Sequence, residues 1–310
     1  MLLSDTSSGN DEDPSVIGFA GGSLGVAFFS DRTGQGDIYL RAVDSQGVVG
    51  PLARVSSNPS PDFYPMLAQT SSGAVHAVWF RKVGGQGRVV HAVSRRVGEW
   101  GEEAEVSSPA TSSDWTPALA RTDGGALVVV FVRDDCYPRA PCFGLMTTRS
   151  GDEGVSWSTA ERLHASGASD FLPTLARTEL GVTLTWSRSS AGTRYPWETT
   201  SSETMVSSTA DGVSWSEPVN LSQDATTDAF PTFLARPDAG TSVVWLSSDS
   251  KAAALVERSV RAGERRTLFP APVTGYSHRF AVLSDGRLFS AWVQGPEGNR
   301  RVYGRVTELP

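Results

Sequence analysis

Cysteine is almost missing from this chain: 310 residues contain two, Cys136 and Cys142. They bracket a short loop with two prolines, Tyr137-Pro138-Arg139-Ala140-Pro141, and a pair so placed suggests a local disulfide and an oxidising compartment. Two unpaired thiols are the alternative. Histidine is scarce as well, with four. His76, His91, His164 and His278 show no ligand spacing, so neither a metal nor another cofactor is expected. No apolar run approaches the roughly 18 residues of a membrane span, so none is expected. Runs of Lys and Arg are lacking too, and 27 basic against 34 acidic residues give a net charge of −7, which argues against a nucleic-acid partner. Met1-Leu2-Leu3-Ser4-Asp5 has neither the basic segment nor the long apolar core of a secretory leader.

Turn-forming residues are abundant instead. Gly 31, Pro 18 and Trp 9, with few Leu-rich helical stretches, point to many short strands. Composition is ordinary for a globular protein, with 39% hydrophobic and 20% charged residues. Folded as one compact unit, the chain would bury roughly 75% of its unfolded surface.

One turn organises the rest. Ser150-Gly151-Asp152-Glu153-Gly154-Val155-Ser156-Trp157 lies between two strand-like runs. Asp can bond nearby backbone N–H groups, Gly allows a positive φ, and Trp covers the turn. A second copy reads Ser208-Thr209-Ala210-Asp211-Gly212-Val213-Ser214-Trp215, with its Asp one place later, and Ser94 to Trp100 is a degraded third. The pattern Ser-x-Asp-x-Gly-x-x-Trp resembles the Asp-box of sialidase-like β-propellers. Such turns are structural and say nothing about catalysis.

A longer unit repeats around these turns: an acid, an aromatic, Pro, a small-apolar strand, a Gly turn and a strand ending in an aromatic. It appears as Asp62 to Ala68 with Trp79, Asp114 to Ala120 with Phe131, Asp170 to Ala176 with Trp186, and Asp228 to Phe233 with Trp245. The prolines Pro65, Pro117, Pro173 and Pro231 are 52, 56 and 58 residues apart. Weaker copies start at Pro14, with Phe29, and at Tyr276, with Trp292. Four short strands in about 50 residues is the arithmetic of a propeller blade. The expected fold is all-β: a single six-bladed β-propeller domain of four-stranded antiparallel blades. The blades fall at 14–57, 62–108, 114–166, 170–222, 228–272 and 276–310. The last lacks a fourth strand, and residues 1–5 are expected to supply it, closing the ring and covering an edge.

In a four-stranded blade the start of strand one and the connection from strand two to strand three share an end. Around one mouth of the channel this topology gathers Asp62, Asp114, Asp170 and Asp228 with Phe63, Trp115 and Phe171. Arg81, Arg133 and Arg188, each two places after a strand-two aromatic, join them. Acids, arginines and exposed aromatics in one concavity suit a sugar or an anionic ligand. For each element there is a structural alternative: Asp-x-x-Pro as a strand-opening turn, and Arg pairing with Asp as an internal ring.

Taken together, these features resemble the bacterial sialidase superfamily over essentially the whole chain. The resemblance implies three arginines on a substrate carboxylate, a Tyr nucleophile activated by Glu, and an Asp acid/base. Gly275-Tyr276-Ser277 with Phe280 to Gly286 is similar to the segment bearing the nucleophile, which makes Tyr276 its counterpart, beside His278 and Arg279. Gly181 to Arg188 is similar to the segment of the second arginine, so Arg188 corresponds. Ser30-Asp31-Arg32 resembles the first-blade Asp-x-Arg neighbourhood. The departures are heavier. Glu12-Asp13-Pro14 replaces Arg-Ile-Pro, Leu172 stands near the position of the Glu, with Asp170 the nearest acid, and blade five offers only Lys251 for the third arginine. A Tyr hydroxyl, with pKa about 10, needs a base to attack.

The leading expectation is therefore a sialidase-like propeller without catalysis, binding a glycan or a protein surface on its loop-rich face. An exo-acting glycoside hydrolase with a rearranged site, using Tyr276 and Asp170 or Asp114, is the first alternative. A structural module of a cell-surface assembly is the second. A monomer is expected outside such an assembly. The resemblance and the cysteine pair imply a bacterial, extracytoplasmic protein.

Overall fold

The structure, a computed structural model, describes residues 1–4, 9–19, 22–96, 98–107, 112–134, 143–189, 202–224, 226–236, 239–248, 253–261, 263–269 and 276–309. The cysteine pair and Lys251 lie outside them. Every regular element among the described residues is a β-strand. No helix there is long and apolar enough to cross a membrane. Two compact units are present, one formed by Met1–Val106 with Thr274–Pro310 and the other by Ser107–Val273.

The first unit opens with a four-stranded sheet: β1 (Asp11–Gly18), β2 (Leu24–Ser30), β3 (Asp37–Val43) and β4 (Val49–Arg54). A five-stranded sheet follows, with β5 (Asp62–Gln69), β6 (Val75–Val83), β7 (Gln86–Arg96) and two outer pieces, β8 (Glu99–Trp100) and β9 (Ala104–Glu105). In the second unit β10 (Ser113–Arg121), β11 (Leu127–Asp134), β12 (Phe143–Ser150) and β13 (Glu161–Arg162) make another four-stranded sheet. The remaining strands of that unit form one sheet of eight. They are β14 (Ser169–Thr178), β15 (Gly181–Ser189), β16 (Ser202–Thr209), β17 (Val219–Asn220), β18 (Thr227–Arg236), β19 (Gly240–Ser248), β20 (Ala253–Ser259) and β21 (Arg266–Phe269). The chain returns to the first unit with β22 (Tyr276–Val282), β23 (Leu288–Gln294) and β24 (Arg301–Thr307).

This hydrogen bonding departs from the expectation of six separate sheets, since it gives five. The cause is local: a single parallel pairing, Ser202 with Thr227, joins the meander β14–β17 to the meander β18–β21. The Ser202 hydroxyl reinforces it by donating to the Asp228 carbonyl at 2.7 Å. The N-terminal segment also differs from a full outer strand. Leu2 makes an isolated antiparallel bridge to Tyr303, flanked by Leu3 N–H to Val302 O and Gly304 N–H to Met1 O, both 2.9 Å.

The second strand of each sheet is the buried one. β2 is buried along its whole length, and Leu127–Val132 of β11 is a continuous apolar run shielded on both faces. Trp79, Phe131, Trp186 and Trp245 are fully buried on these strands. In the first repeat the equivalent residue is Phe28 rather than Phe29: Ser30 lies opposite Asp11 as Arg81 lies opposite Asp62, and Phe28 precedes Ser30 by two. Phe29 instead stacks on Phe63 at 4.9 Å.

A bulge in the first strand repeats six times. Asp13, Tyr64, Thr116, Leu172, Phe230 and Ser277 all have φ between 36° and 55°, and the cross-strand register slips at each. Five of the six precede proline, where the left-handed region is an unusual choice for a residue with a side chain. Non-glycine residues held there cost about 1–3 kcal/mol each, so the packing around the bulge must impose it.

The two turns around Asp152 and Asp211 are built from side chains. The Ser150 hydroxyl donates to Asp152 at 2.7 Å and accepts from Gly154 N–H at 2.8 Å, while Asp152 accepts from Ser156 N–H at 2.9 Å. In the second copy Thr209, not Ser208, does this. Its hydroxyl donates to Asp211 and accepts from Gly212 N–H, both at 2.9 Å. That restores the two-residue hydroxyl-to-Asp spacing and explains the apparent late Asp. Gly212 (φ 80°) leaves no room for a side chain, since a Cβ would fall 2.6 Å from Val128 of the neighbouring sheet. Trp215 packs on the same inter-sheet core, with Leu184, Trp186 and Val128.

Candidate functional site

In five of the six repeats, where the first strand begins, an acid three residues before the proline faces the second strand. Asp62 is fully buried on β5 and opposes Arg81 in register. The guanidinium donates twice, Nε to Oδ1 at 2.7 Å and Nη2 to Oδ2 at 2.8 Å, and a third time to Glu103 at 2.6 Å. Burial pushes Asp62 up to about 6 against the pull of Arg81, so the pair is ionised at neutral pH. Asp114 and Arg133 repeat the fork at 2.7 and 2.8 Å. Asp170 takes Arg188 at 2.7 and 3.1 Å, and in addition Trp186 Nε1 at 2.8 Å and the Ser166 hydroxyl at 3.2 Å. Each guanidinium also lies over its strand-two aromatic, 5.4–5.7 Å from the ring centroid.

Two repeats vary the theme. Asp228 keeps the Trp bond, from Trp245 Nε1 at 2.9 Å, but has Ser247 where the others have Arg. Burial raises its carboxyl, and the nearby charge of Asp224 adds to this. Arg265, from the β20–β21 connection, fills in by donating to Ser247 at 2.7 Å and pairing with Asp224 at 3.3 Å. In the first sheet Asp11 is the fifth such acid. Its cation is Arg32, 3.2 Å away and stacked over Tyr39 at 4.5 Å. The expected ring of acids omits Asp11, although it has the same three-residue distance to Pro14 that Asp62 has to Pro65.

Of the groups expected to face a ligand, Asp62, Asp114 and Asp170 thus face Arg81, Arg133 and Arg188, while Asp228 faces Ser247. Arg81, Arg133 and Arg188 each have two donors committed to an internal acid. With four hydrogen bonds received, Asp170 has no free oxygen with which to act as a base. The aromatics are also inward: Phe171 is buried with its ring 4.8 Å from Phe143, and Trp115 packs partly buried on the same core. Tyr276 opens β22 opposite Val293, and its side chain lies outside the described atoms. His278 stacks on Phe280 and Trp292, with centroids 6.4 and 6.5 Å apart.

A second group of charges lies in the first unit. Asp13, on the β1 bulge, is half-buried and accepts a hydrogen bond from the Tyr64 backbone N–H on the β5 bulge. Burial, helped by the charge of Glu12, pushes its carboxyl up to about 7, with Arg279 and Arg300 pulling the other way. Burial lowers Arg279, and Asp13 opposes that shift. Arg300 pairs with Glu12 at 2.8 Å. In the sequence Glu12-Asp13 is legible only as a replacement for a missing arginine, because nothing in the residue pattern says that the residue before each repeat proline occupies the bulge. Among the described residues, no cluster of His, Cys, Asp and Glu suits a metal ion.

No family model matches the chain, and no curated protein matches its sequence. Solved structures do. A protein of unknown function from Dyadobacter fermentans is 12% identical with a TM-score of 0.78, covering 100% of this chain and 97% of its own. An α-L-arabinofuranosidase from Fusarium graminearum, solved with an iminosugar inhibitor, is 14% identical with a TM-score of 0.74, covering 97% and 93%. The fold is an all-β propeller. A Hadza microbial sialidase is 12% identical with a TM-score of 0.69, and the match spans 97% of this chain and 66% of that one. At these identities the likeness speaks for the fold alone.

Proposed function

We propose that this protein is a sialidase-like propeller that binds a glycan at the Asp-bearing end of its sheets, without sialidase chemistry. The observation that carries the reading is the pairing of Arg81, Arg133 and Arg188 with Asp62, Asp114 and Asp170. A carboxylate clamp needs guanidinium forks that turn toward the ligand, and here the Nε/Nη2 fork of each arginine is held by an internal acid. Glu12 and Asp13, where the resemblance puts the first arginine, would repel a sialate. Propellers of similar fold that carry glycosidase names support a saccharide ligand. The same proposal counts the eight-stranded sheet as two blades of six and gives Met1–Ser4 the role of outer strand beside β24, in a single domain outside the cytoplasm.

A second reading, a glycoside hydrolase with a rearranged site, is favoured by Asp13, whose carboxyl near 7 could donate a proton at neutral pH. One experiment separates the two. Product release from fluorogenic glycosides, a sialoside and an arabinofuranoside included, is compared among wild type, Tyr276→Phe and Asp13→Asn. The binding reading expects no turnover by any of them, with saccharides retained on a glycan array. Turnover by wild type that either substitution abolishes would establish the hydrolase.

A further inference from the structure

In three repeats the first-strand acid gives Oδ2 to the arginine opposite it: Nη2 of Arg81, Arg133 and Arg188 donates to Asp62, Asp114 and Asp170 at 2.8, 2.8 and 3.1 Å. The fifth repeat has Asp228, sealed from solvent like the others, but Ser247 stands opposite. Oδ1 of Asp228 is provided for, since Trp245 Nε1 donates to it at 2.9 Å and the Thr226 hydroxyl at 3.1 Å. The Ser247 hydroxyl also acts on this carboxyl. Oδ2, the atom that takes a guanidinium elsewhere, is shielded from solvent with no hydrogen-bond partner among the described residues. Asp224 is drawn to the same threonine. Its Oδ1 accepts from the Thr226 N–H at 2.8 Å and from the Thr226 hydroxyl, while its Oδ2 is also shielded and without a hydrogen bond. One hydroxyl, itself 2.8 Å from Ser247 Oγ, thus ties two carboxylates together. The cation in contact with them among the described residues is Arg265, 3.3 Å from Asp224 Oδ2 and hydrogen-bonded to Ser247 rather than to Asp228.

We propose that Asp224, Asp228, Thr226 and Ser247 bind a monovalent metal cation, sodium or potassium, in the place where the other repeats put a guanidinium. The inference is independent of the glycan-binding reading. Charge sets the valence: two carboxylates and the Arg265 guanidinium leave one negative charge, which a monovalent ion cancels and a divalent ion overshoots. The donor atoms are hard oxygens, two from carboxylates and two from hydroxyls, and the group offers neither the imidazole nor the thiolate that zinc or copper favours. Only two acidic side chains meet here, short of the several carboxylates that a calcium ion gathers. A water molecule could satisfy both Oδ2 atoms, but it would leave the buried charge uncompensated. The ion also has a structural task. The Asp228 carbonyl receives the Ser202 hydroxyl of β16 at 2.7 Å, and Arg265 ties the β20–β21 connection to Ser247, so the junction of the two meanders closes around it.

Thermal unfolding of the full chain in the chlorides of sodium, potassium, calcium and N-methylglucamine, at equal ionic strength, tests this. The organic cation is too large for the site and serves as the baseline. We expect sodium or potassium to raise the midpoint by about 3 °C or more above it, and calcium to do no better than they do. Ser247→Arg gives the fifth repeat the guanidinium of the others and should abolish the difference between cations. Asp224→Asn, which keeps the shape and removes one charge, should abolish it too. Circular dichroism checks that the variants fold, and if Ser247→Arg does not, Asp224→Asn carries the comparison. A wild-type midpoint that is the same in all four salts overturns the inference. So does a preference for calcium, or a sodium or potassium effect that persists in the folded variants.

Discussion

Asp62 survives inside an apolar sheet because a guanidinium stands opposite it in register and returns two hydrogen bonds. Removing one partner strands the other. Asp62→Ala should destabilise the protein by about 3–5 kcal/mol, and the Asp62→Ala/Arg81→Met double variant should recover much of that, as read from urea midpoints. The buried pair His76 and His91, whose ring nitrogens lie 3.0 Å apart, gives a pH signature. Burial, with the charges of His76 and Arg95, lowers His91 to about 3, whereas an unfolded histidine titrates near 6.5. Between those values the unfolded chain binds a proton that the folded chain refuses. Stability should therefore fall as pH drops from about 6.5 toward 3, and His76→Leu/His91→Leu should flatten that slope in urea titrations. The Asp-x-x-Pro repeat was legible in the sequence, but the direction of Asp62, Asp114 and Asp170, inward to an arginine rather than outward to a ligand, was not. Both arrangements use the same residue types at the same spacing, and only cross-strand register distinguishes them.

Among the elements, the first strand carries the information particular to this chain. Each of its bulges holds a side chain at positive φ, a conformation that glycine adopts without the Cβ penalty. Thr116 is the sharpest case, since a β-branched residue at φ 36° is strained by its own side chain. Thr116→Gly should be neutral or stabilising by up to about 1 kcal/mol, and Thr116→Val should destabilise; denaturant midpoints decide both. The second strands bear the packing, and Trp79→Ala on β6 should cost about 3–5 kcal/mol for the cavity it leaves. In the turns around Asp152 and Asp211, hydrogen bonds from Ser156 and Ser150 hold Asp152 at about 2, and backbone bonds from Val213 and Ser214 do the same for Asp211. Their contribution is complete above the ordinary Asp range near 4 and is lost as pH falls through about 2, which adds an acid limit below that of His91. These turns were readable because a turn is a local object, whose hydroxyl, Asp and Gly lie within five residues. The exchange of Ser208 for Thr209 was not readable, since either hydroxyl could begin the motif on paper.

For the whole molecule, a repeat of about 50 residues with four short strands leaves few architectures, and the propeller follows from that period before any contact is known. Periodicity of strands and turns is a property of the sequence alone: alternation, prolines, glycines and the Asp-box spacing fix where strands start and stop. Tertiary structure alone decided three further matters. It merged two meanders into one sheet through the pairing of Ser202 with Thr227, a contact between segments 25 residues apart. It turned a suspected ring of ligand-facing arginines into internal clamps, because a buried carboxylate attracts the nearest cation more strongly than water can compensate. And it brought the first strands β1, β5 and β22 together, β1 against both of the others, although β1 and β22 are more than 250 residues apart in the chain. Local chemistry writes the repeat; which charges are left over for a ligand depends on which strands become neighbours.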